Sequence, residues 1–166
     1  NNFNTIYLKS LIDILKKMGA KLKVSKNSIK VFKGSKLKST SLSTSPYPGF
    51  PTDLQAQLMS LMCISDGKSK IKETIFENRF MHVPELNRLG ANITVEKDTA
   101  TIIGNQTFKG AQVMASDLRA SISLVLAAMN ANGQTTLNRV YHLDRGYENI
   151  EKTLGSLGVK IKRQKN

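Results

Sequence analysis

Five charged side chains in this sequence stand where a polypeptide can hold a small anion. Asp53 follows the segment YPGFPT at residues 47–52, a proline-stiffened approach to a helix N-terminus. Free N–H groups and positive potential at such a terminus suit anions and keep an aspartate ionised. Arg79, Asp117, Arg119 and Arg145 fall where further helices begin, in equivalent parts of a repeat, so that all could face one cleft. The planar fork of arginine matches carboxylate and phosphate, and two or three together favour a small multiply charged anion. A plainer arrangement uses the same residues: Asp53 as a helix cap, and the arginines in surface ion pairs with Glu77, Asp117 and Asp144. The residues alone leave both open.

Other chemistries find no support. His82 and His142 have no Cys, Asp or Glu partner at a metal-ligand spacing, which argues against a metal site. Cys63 sits among Leu61, Met62 and Ile64 on a helical pattern and reads as core rather than nucleophile. Neither a P-loop nor a dinucleotide fingerprint is present, and no cofactor is expected.

The elements that must position these residues follow an internal repeat. Residues 15–24 (LKKMGAKLKV), 86–95 (LNRLGANITV) and 154–163 (LGSLGVKIKR) share one form: the last turn of an amphipathic helix, a glycine able to take the left-handed conformation, then an alternating strand. Thr52-Asp53-Leu54 and Ser116-Asp117-Leu118 each offer a hydroxyl cap and an acid at a helix start. Each is followed by a helix, a glycine stop at Gly67 or Gly133, a strand over residues 71–76 or 135–141, and an arginine at the start of the next helix. Helices are thus expected to end near Gly19, Gly67, Gly90, Gly133 and Gly158.

The fold class is therefore α/β, with repeated β-α-β-α-β-β modules in one domain. Residues 1–45 hold the second half of a first module and a Ser/Thr/Pro-rich linker; residues 46–112 and 113–166 hold the second and third modules. Because such modules bury their apolar faces only against neighbours, the missing front half of the first module suggests a fragment or one product of a split gene.

Composition narrows the partners. With 40% hydrophobic and 22% charged residues, the 166-residue chain suits one globular domain. Its net charge of +13 raises nucleic acid as a partner. The excess is local, however: residues 1–40 carry ten lysines against the single acid Asp13, while the rest has fifteen basic against eleven acidic residues. Only Phe3, Tyr7 and Phe32 accompany those lysines, too few aromatics for base stacking, so a solvated lysine face is the simpler reading. No apolar run approaches the roughly 18 residues of a membrane span. With no signal peptide and a single cysteine, a cytoplasmic protein is expected.

PGFPTDLQAQ at 48–57, ETIFENRFMHVPEL at 73–86, ASDLRAS at 115–121 and HLDRGYE at 142–148 resemble, in order, segments of the UDP-N-acetylglucosamine 1-carboxyvinyltransferase family of enolpyruvyl transferases. The 3-phosphoshikimate 1-carboxyvinyltransferases are similar in fold but poorer in these segments. The resemblance implies one domain of an inside-out α/β barrel that closes with a second domain around phosphoenolpyruvate and UDP-N-acetylglucosamine in peptidoglycan precursor synthesis. It implies that Asp53 serves in deprotonating the sugar 3′-hydroxyl and that the backbone at Ile75 meets the nucleotide sugar. Arg119 and Arg145 would hold the phosphate or carboxylate of phosphoenolpyruvate, with Arg79 and Asp117 completing the charged wall. The family's reactive-cysteine loop and most uridine contacts belong to an N-terminal half outside this chain, so the chain is expected to need that half for turnover. A truncated, non-catalytic product is the alternative.

Overall fold

The computed structural model describes residues 3–34 and 36–164. Three helices end identically, as the repeat requires. α1 (Lys9–Lys17), α3 (Val83–Arg88) and α6 (Ile150–Ser156) are each closed by a glycine with φ of 90° to 100°: Gly19, Gly90 and Gly158. In each the glycine N–H and the next N–H return to carbonyls of the last turn, as in Gly90 to Asn87 at 2.9 Å and Ala91 to Leu86 at 3.0 Å. This is the Schellman closure, which glycine adopts without Cβ strain.

Gly67 and Gly133 mark a different ending. α2 (Gln55–Ile64) and α4 (Leu118–Ala128) stop before the glycine, and the residue in front of it, Asp66 or Asn132, forms a parallel bridge to Lys38 or Lys109. That bridge starts a parallel pair: β3 (Ser41–Ser43) with β4 (Lys68–Lys72), and β7 (Gln112–Met114) with β8 (Thr136–Asn138). Helix α2 or α4 makes the crossover.

The second module then runs through α3 into the hairpin β5 (Asn92–Glu96) and β6 (Thr99–Ile103), giving a sheet of order β3-β4-β6-β5. Ahead of it, α1 feeds the hairpin β1 (Lys21–Ser25) and β2 (Ser28–Phe32), the same second half of a unit. The third module adds a one-turn helix α5 (Tyr141–Asp144) before α6.

Several expectations need correction. β4 starts and ends earlier than the strand read at 71–76, and β8 is shorter than that read at 135–141, because the chain leaves each ladder to build the turns that carry Arg79 and Arg145. The described residues after Gly158, 159–164, form no strand and find no ladder partner among the described residues, and Arg163 instead bonds Asp144 and Glu151. β3 lies in the stretch read as linker, and β7 spans the expected 112/113 boundary. A three-residue strand carries too little alternation to be recognised.

The core centres on α2 against α4. Gln55, Ala56, Leu58, Met59, Ser60, Met62 and Cys63 of α2 are all buried, the all-round burial of a helix enclosed by protein. Small residues admit the close approach: Ser60 Oγ donates to the Ser123 carbonyl of α4 at 2.9 Å. Around this pair pack Ile71, Leu86, Leu89, Ile102 and Phe108.

Gly104 shows how tightly the sheet end meets α2. A Cβ there would lie 2.0 Å from the Ser65 carbonyl oxygen and 2.6 Å from that of Gly67, both backbone atoms that cannot rotate away. Gly104→Ala should cost about 3 kcal/mol and lower the melting temperature by roughly 6–12 °C, measurable by calorimetry.

Candidate anion-binding cleft

Asp53 arrives on a one-turn 3-10 helix, Thr52–Leu54, that runs into α2 after Pro51 in extended backbone. The expected hydroxyl cap is not made. The Thr52 hydroxyl donates instead to Glu73 Oε2 at 2.9 Å, because that buried carboxylate needs donors more than a solvated helix end does. Asp53 caps nothing either: its side chain is 77% exposed and lies 3.6 Å from Arg79 Nη1, so its carboxylate is available to a ligand.

Arg79 sits in the turn after β4, beyond Asn78 with φ of 55°. Its guanidinium lies over the Phe76 ring, 4.4 Å from the centroid, which holds the cation in place while leaving its edge free to bind.

Asp117, rather than Ser116, is the cap of α4. Its extended backbone, φ −156° and ψ 176°, lets Oδ1 accept from the N–H groups of Arg119 at 2.8 Å and Ala120 at 3.0 Å. Burial pushes the Asp117 carboxyl up, but the Ala120 N–H, the Arg119 charge, the Arg119 N–H and His82 outweigh it and hold its pKa below the usual value.

The Arg119 side chain is only 14% exposed and its guanidinium lies 3.6 Å from Asp117 Oδ2, while its Nη1 is buried with no hydrogen-bond partner among the described residues. Burial lowers its pKa; Asp117 opposes this and Arg79 adds to it. An arginine remains charged under such shifts. A buried, charged N–H donor without an acceptor is costly, so this group is set for an anion.

Arg145 follows α5 at the same remove from β8 as Arg79 from β4. It stands at the end of a one-turn helix, not at the start of α6, a correction to the expected placement. The turn presses onto the first residue of α4: a Cβ at Gly146 would meet Leu118 Cδ2 at 2.9 Å. Asp144 is engaged by Arg163 at 2.6 and 2.8 Å, and Arg145 has no ion-pair partner among the described residues. Of the surface pairs considered from sequence, only that with Asp117 forms.

Asp53, Arg79, Asp117, Arg119 and Arg145 all line one open cleft of about 840 Å³. Ile75 does not; it is half-buried, and its N–H donates to Glu73 Oε1 at 2.9 Å. Sequence reasoning missed Glu73, which organises the cleft from beneath. Its signal was available: Ser69, Ile71 and Glu73 alternate inward along β4 and its continuation, and a carboxylate on the inward face needs a reason.

Cys63 is buried in the core, as its apolar neighbours imply, and its thiol is pushed up to about 12 by burial.

His82 is 2% exposed, and burial, aided by the Arg119 charge, lowers its pKa to about 4. As pH falls from 6.5 toward 4 the unfolded chain takes up a proton that the folded chain refuses, so stability declines across that window. The loss should reach roughly 3 kcal/mol. Urea unfolding at pH 7 and pH 4.5 checks it: His82→Gln should show a markedly smaller pH dependence than the parent, and equal dependence would refute the assignment.

A family model described as EPSP synthase (3-phosphoshikimate 1-carboxyvinyltransferase) matches residues 2–154, and the chain belongs to this family of carboxyvinyl transferases. Within it, the chain is 58% identical over 152 residues to the UDP-N-acetylglucosamine 1-carboxyvinyltransferase of Pelagibacter ubique and 55% identical over 157 residues to that of Azorhizobium caulinodans. It spans only 36% and 37% of those relatives' lengths while they cover 92% and 94% of it.

Among solved structures, the enolpyruvyl transferase NikO from Streptomyces tendae superposes with a TM-score of 0.87 at 31% identity, over 93% of this chain and 36% of that one. EPSP synthase from Acinetobacter baumannii gives 0.71 at 17% identity over 95% of this chain and 37% of that one, a likeness of fold. The α/β reading, as one domain of the enolpyruvyl-transferase fold, is thus established. No helix among the described residues is long and apolar enough to cross a membrane.

Proposed function

We propose that this chain forms the C-terminal substrate wall of a UDP-N-acetylglucosamine 1-carboxyvinyltransferase, acting in cytoplasmic peptidoglycan precursor synthesis. The observation that carries the proposal is the convergence of Asp53, Arg79, Arg119 and Arg145 on one cleft, with no ion pair to Arg145 and no hydrogen bond to the Arg119 Nη1 among the described residues. Phosphoenolpyruvate offers the phosphate and carboxylate that such forks fit.

In this reading Arg119 and Arg145 hold phosphoenolpyruvate, Arg79 and Asp117 complete the wall, and the backbone near Ile75 meets the nucleotide sugar. Asp53 accepts the proton of the sugar 3′-hydroxyl as its oxygen bonds to C2 of the enolpyruvyl group, while C3 takes a proton from an acid on the facing half. Loss of phosphate and of that C3 proton then restores the double bond. Cations already in place stabilise charge as it develops.

A chimera tests this. The chain replaces its counterpart in the Pelagibacter relative, and phosphate release is assayed with phosphoenolpyruvate and UDP-N-acetylglucosamine. Release requiring both substrates is expected; a folded chimera that releases none would overturn the proposal.

A further inference from the structure

Glu73 collects four donors from two separate parts of the chain. Its Oε1 accepts from Thr44 Oγ1 at 2.8 Å, from Ile75 N–H at 2.9 Å and from Phe76 N–H at 3.4 Å; its Oε2 accepts from Thr52 Oγ1 at 2.9 Å. The side chain is almost wholly enclosed, with the residue 4% exposed. Thr44 opens the excursion between β3 and α2, and Thr52 closes it next to Asp53. Ile75 and Phe76 open the turn that ends in Arg79, and Phe76 is the ring under that guanidinium. One carboxylate therefore joins the segment that delivers Asp53 to the segment that delivers Arg79. These two side chains meet at 3.6 Å above it.

A carboxylate this enclosed is costly unless its lone pairs are filled, and here they are filled only while both segments keep their places. An apolar residue at position 73 would leave the Thr44 and Thr52 hydroxyls and the Ile75 and Phe76 amides without this acceptor and would fix neither segment. Its field also favours the charged form of Arg119.

We propose that Glu73 is a positioning residue that sets the spacing between Asp53 and Arg79, an inference that rests on the functional reading above for its catalytic consequence alone. Glu73 need not touch substrate. It acts through Thr52 on one side and the Ile75–Phe76 amides on the other.

The test uses isotope-labelled chain and the variants Glu73→Ala, Glu73→Gln and Thr52→Val, read by NMR at the Asp53 carboxyl carbon, the Arg79 Nε and the exchange of the Ile75 and Phe76 amides. Ile71 and Leu124 amides report the integrity of the core. Glu73→Ala should speed exchange at Ile75 and Phe76 by roughly tenfold or more, as expected on losing bonds to a charged acceptor, and should shift both side-chain signals. Glu73→Gln should recover most of this, since its carbonyl can keep the amide donors and its NH₂ can donate to a hydroxyl.

Unmoved Asp53 and Arg79 signals in a folded Glu73→Ala chain would overturn the proposal, as would equal disruption by alanine and glutamine. Should Glu73→Ala fail to fold, Thr52→Val decides: it cuts only the Asp53 side, so the Asp53 signal must move while Ile75 exchange holds, and an unmoved signal overturns the idea. In the chimera, Glu73→Ala should depress kcat with recovery by glutamine. An inactive parent chimera refutes the functional reading, and the NMR result still decides the role of Glu73.

Discussion

Arg145→Ala in the chimera should lower kcat/KM for phosphoenolpyruvate by about 10³-fold, the effect of removing a preorganised donor aimed at developing charge. The structure ranks this arginine first because no acidic side chain among the described residues pairs with it: Asp144, its sequence neighbour, is held by Arg163. Arg79→Ala should cost less, because Arg79 already shares its charge with Asp53 and lies on Phe76. Arg145→Lys should recover only part of the loss, a point charge replacing a fork. Steady-state phosphate release, with circular dichroism to confirm folding, measures all three. A fall below tenfold for Arg145→Ala would remove the residue from the anion site.

The legible parts of the molecule were those where one residue forces one geometry. Gly19, Gly90 and Gly158 end helices because no other residue takes φ near 95° freely, and three such glycines at matching places revealed the repeat. From the repeat it followed that Asp53, Arg79, Asp117, Arg119 and Arg145 would share a face, because equivalent turns of stacked modules lie at the same end. Cys63 was readable as core from its apolar helical neighbours.

What sequence concealed depended on partners distant in the chain. Thr52 looked like a cap until Glu73, 21 residues on, was found to hold its hydroxyl. The segment after Gly158 has the alternation of a strand, but a strand exists only when a ladder receives it. Ser116 offered the hydroxyl cap and Asp117 only an acid in the first turn, but the extended backbone at Asp117 and its bonds to the Arg119 and Ala120 amides make Asp117 the cap. The cleft was legible as a set of residues; the buried carboxylate that ties two of its edges together showed only as an acid on the inward side of a strand, with the hydroxyls of Thr44 and Thr52 that it holds lying 29 and 21 residues away.

The largest effect belongs to the isolated chain, which should release no measurable phosphate from phosphoenolpyruvate although every residue of its cleft is in place. The cleft is open, and Asp53 is 77% exposed. Water therefore screens its carboxylate, and an exposed charge so screened contributes little. Closure by a facing half would expel that water, bring in the acid that protonates C3, and hold both reactants in attack geometry. Orientation alone can supply roughly 7 to 11 kcal/mol of a barrier, so its absence removes more rate than any single substitution. Binding should weaken together with rate, because the same arginines that stabilise the transition state hold the substrate. Joining the chain to the remaining portion of the Pelagibacter relative should restore phosphate release, and Asp53→Ala in the joined protein should abolish it. The decisive comparison sets the purified chain beside its own Asp53→Ala variant, prepared in parallel to expose contaminating enzyme. Turnover by the first and not by the second would show that one wall suffices, and the requirement for a facing half would have to be abandoned.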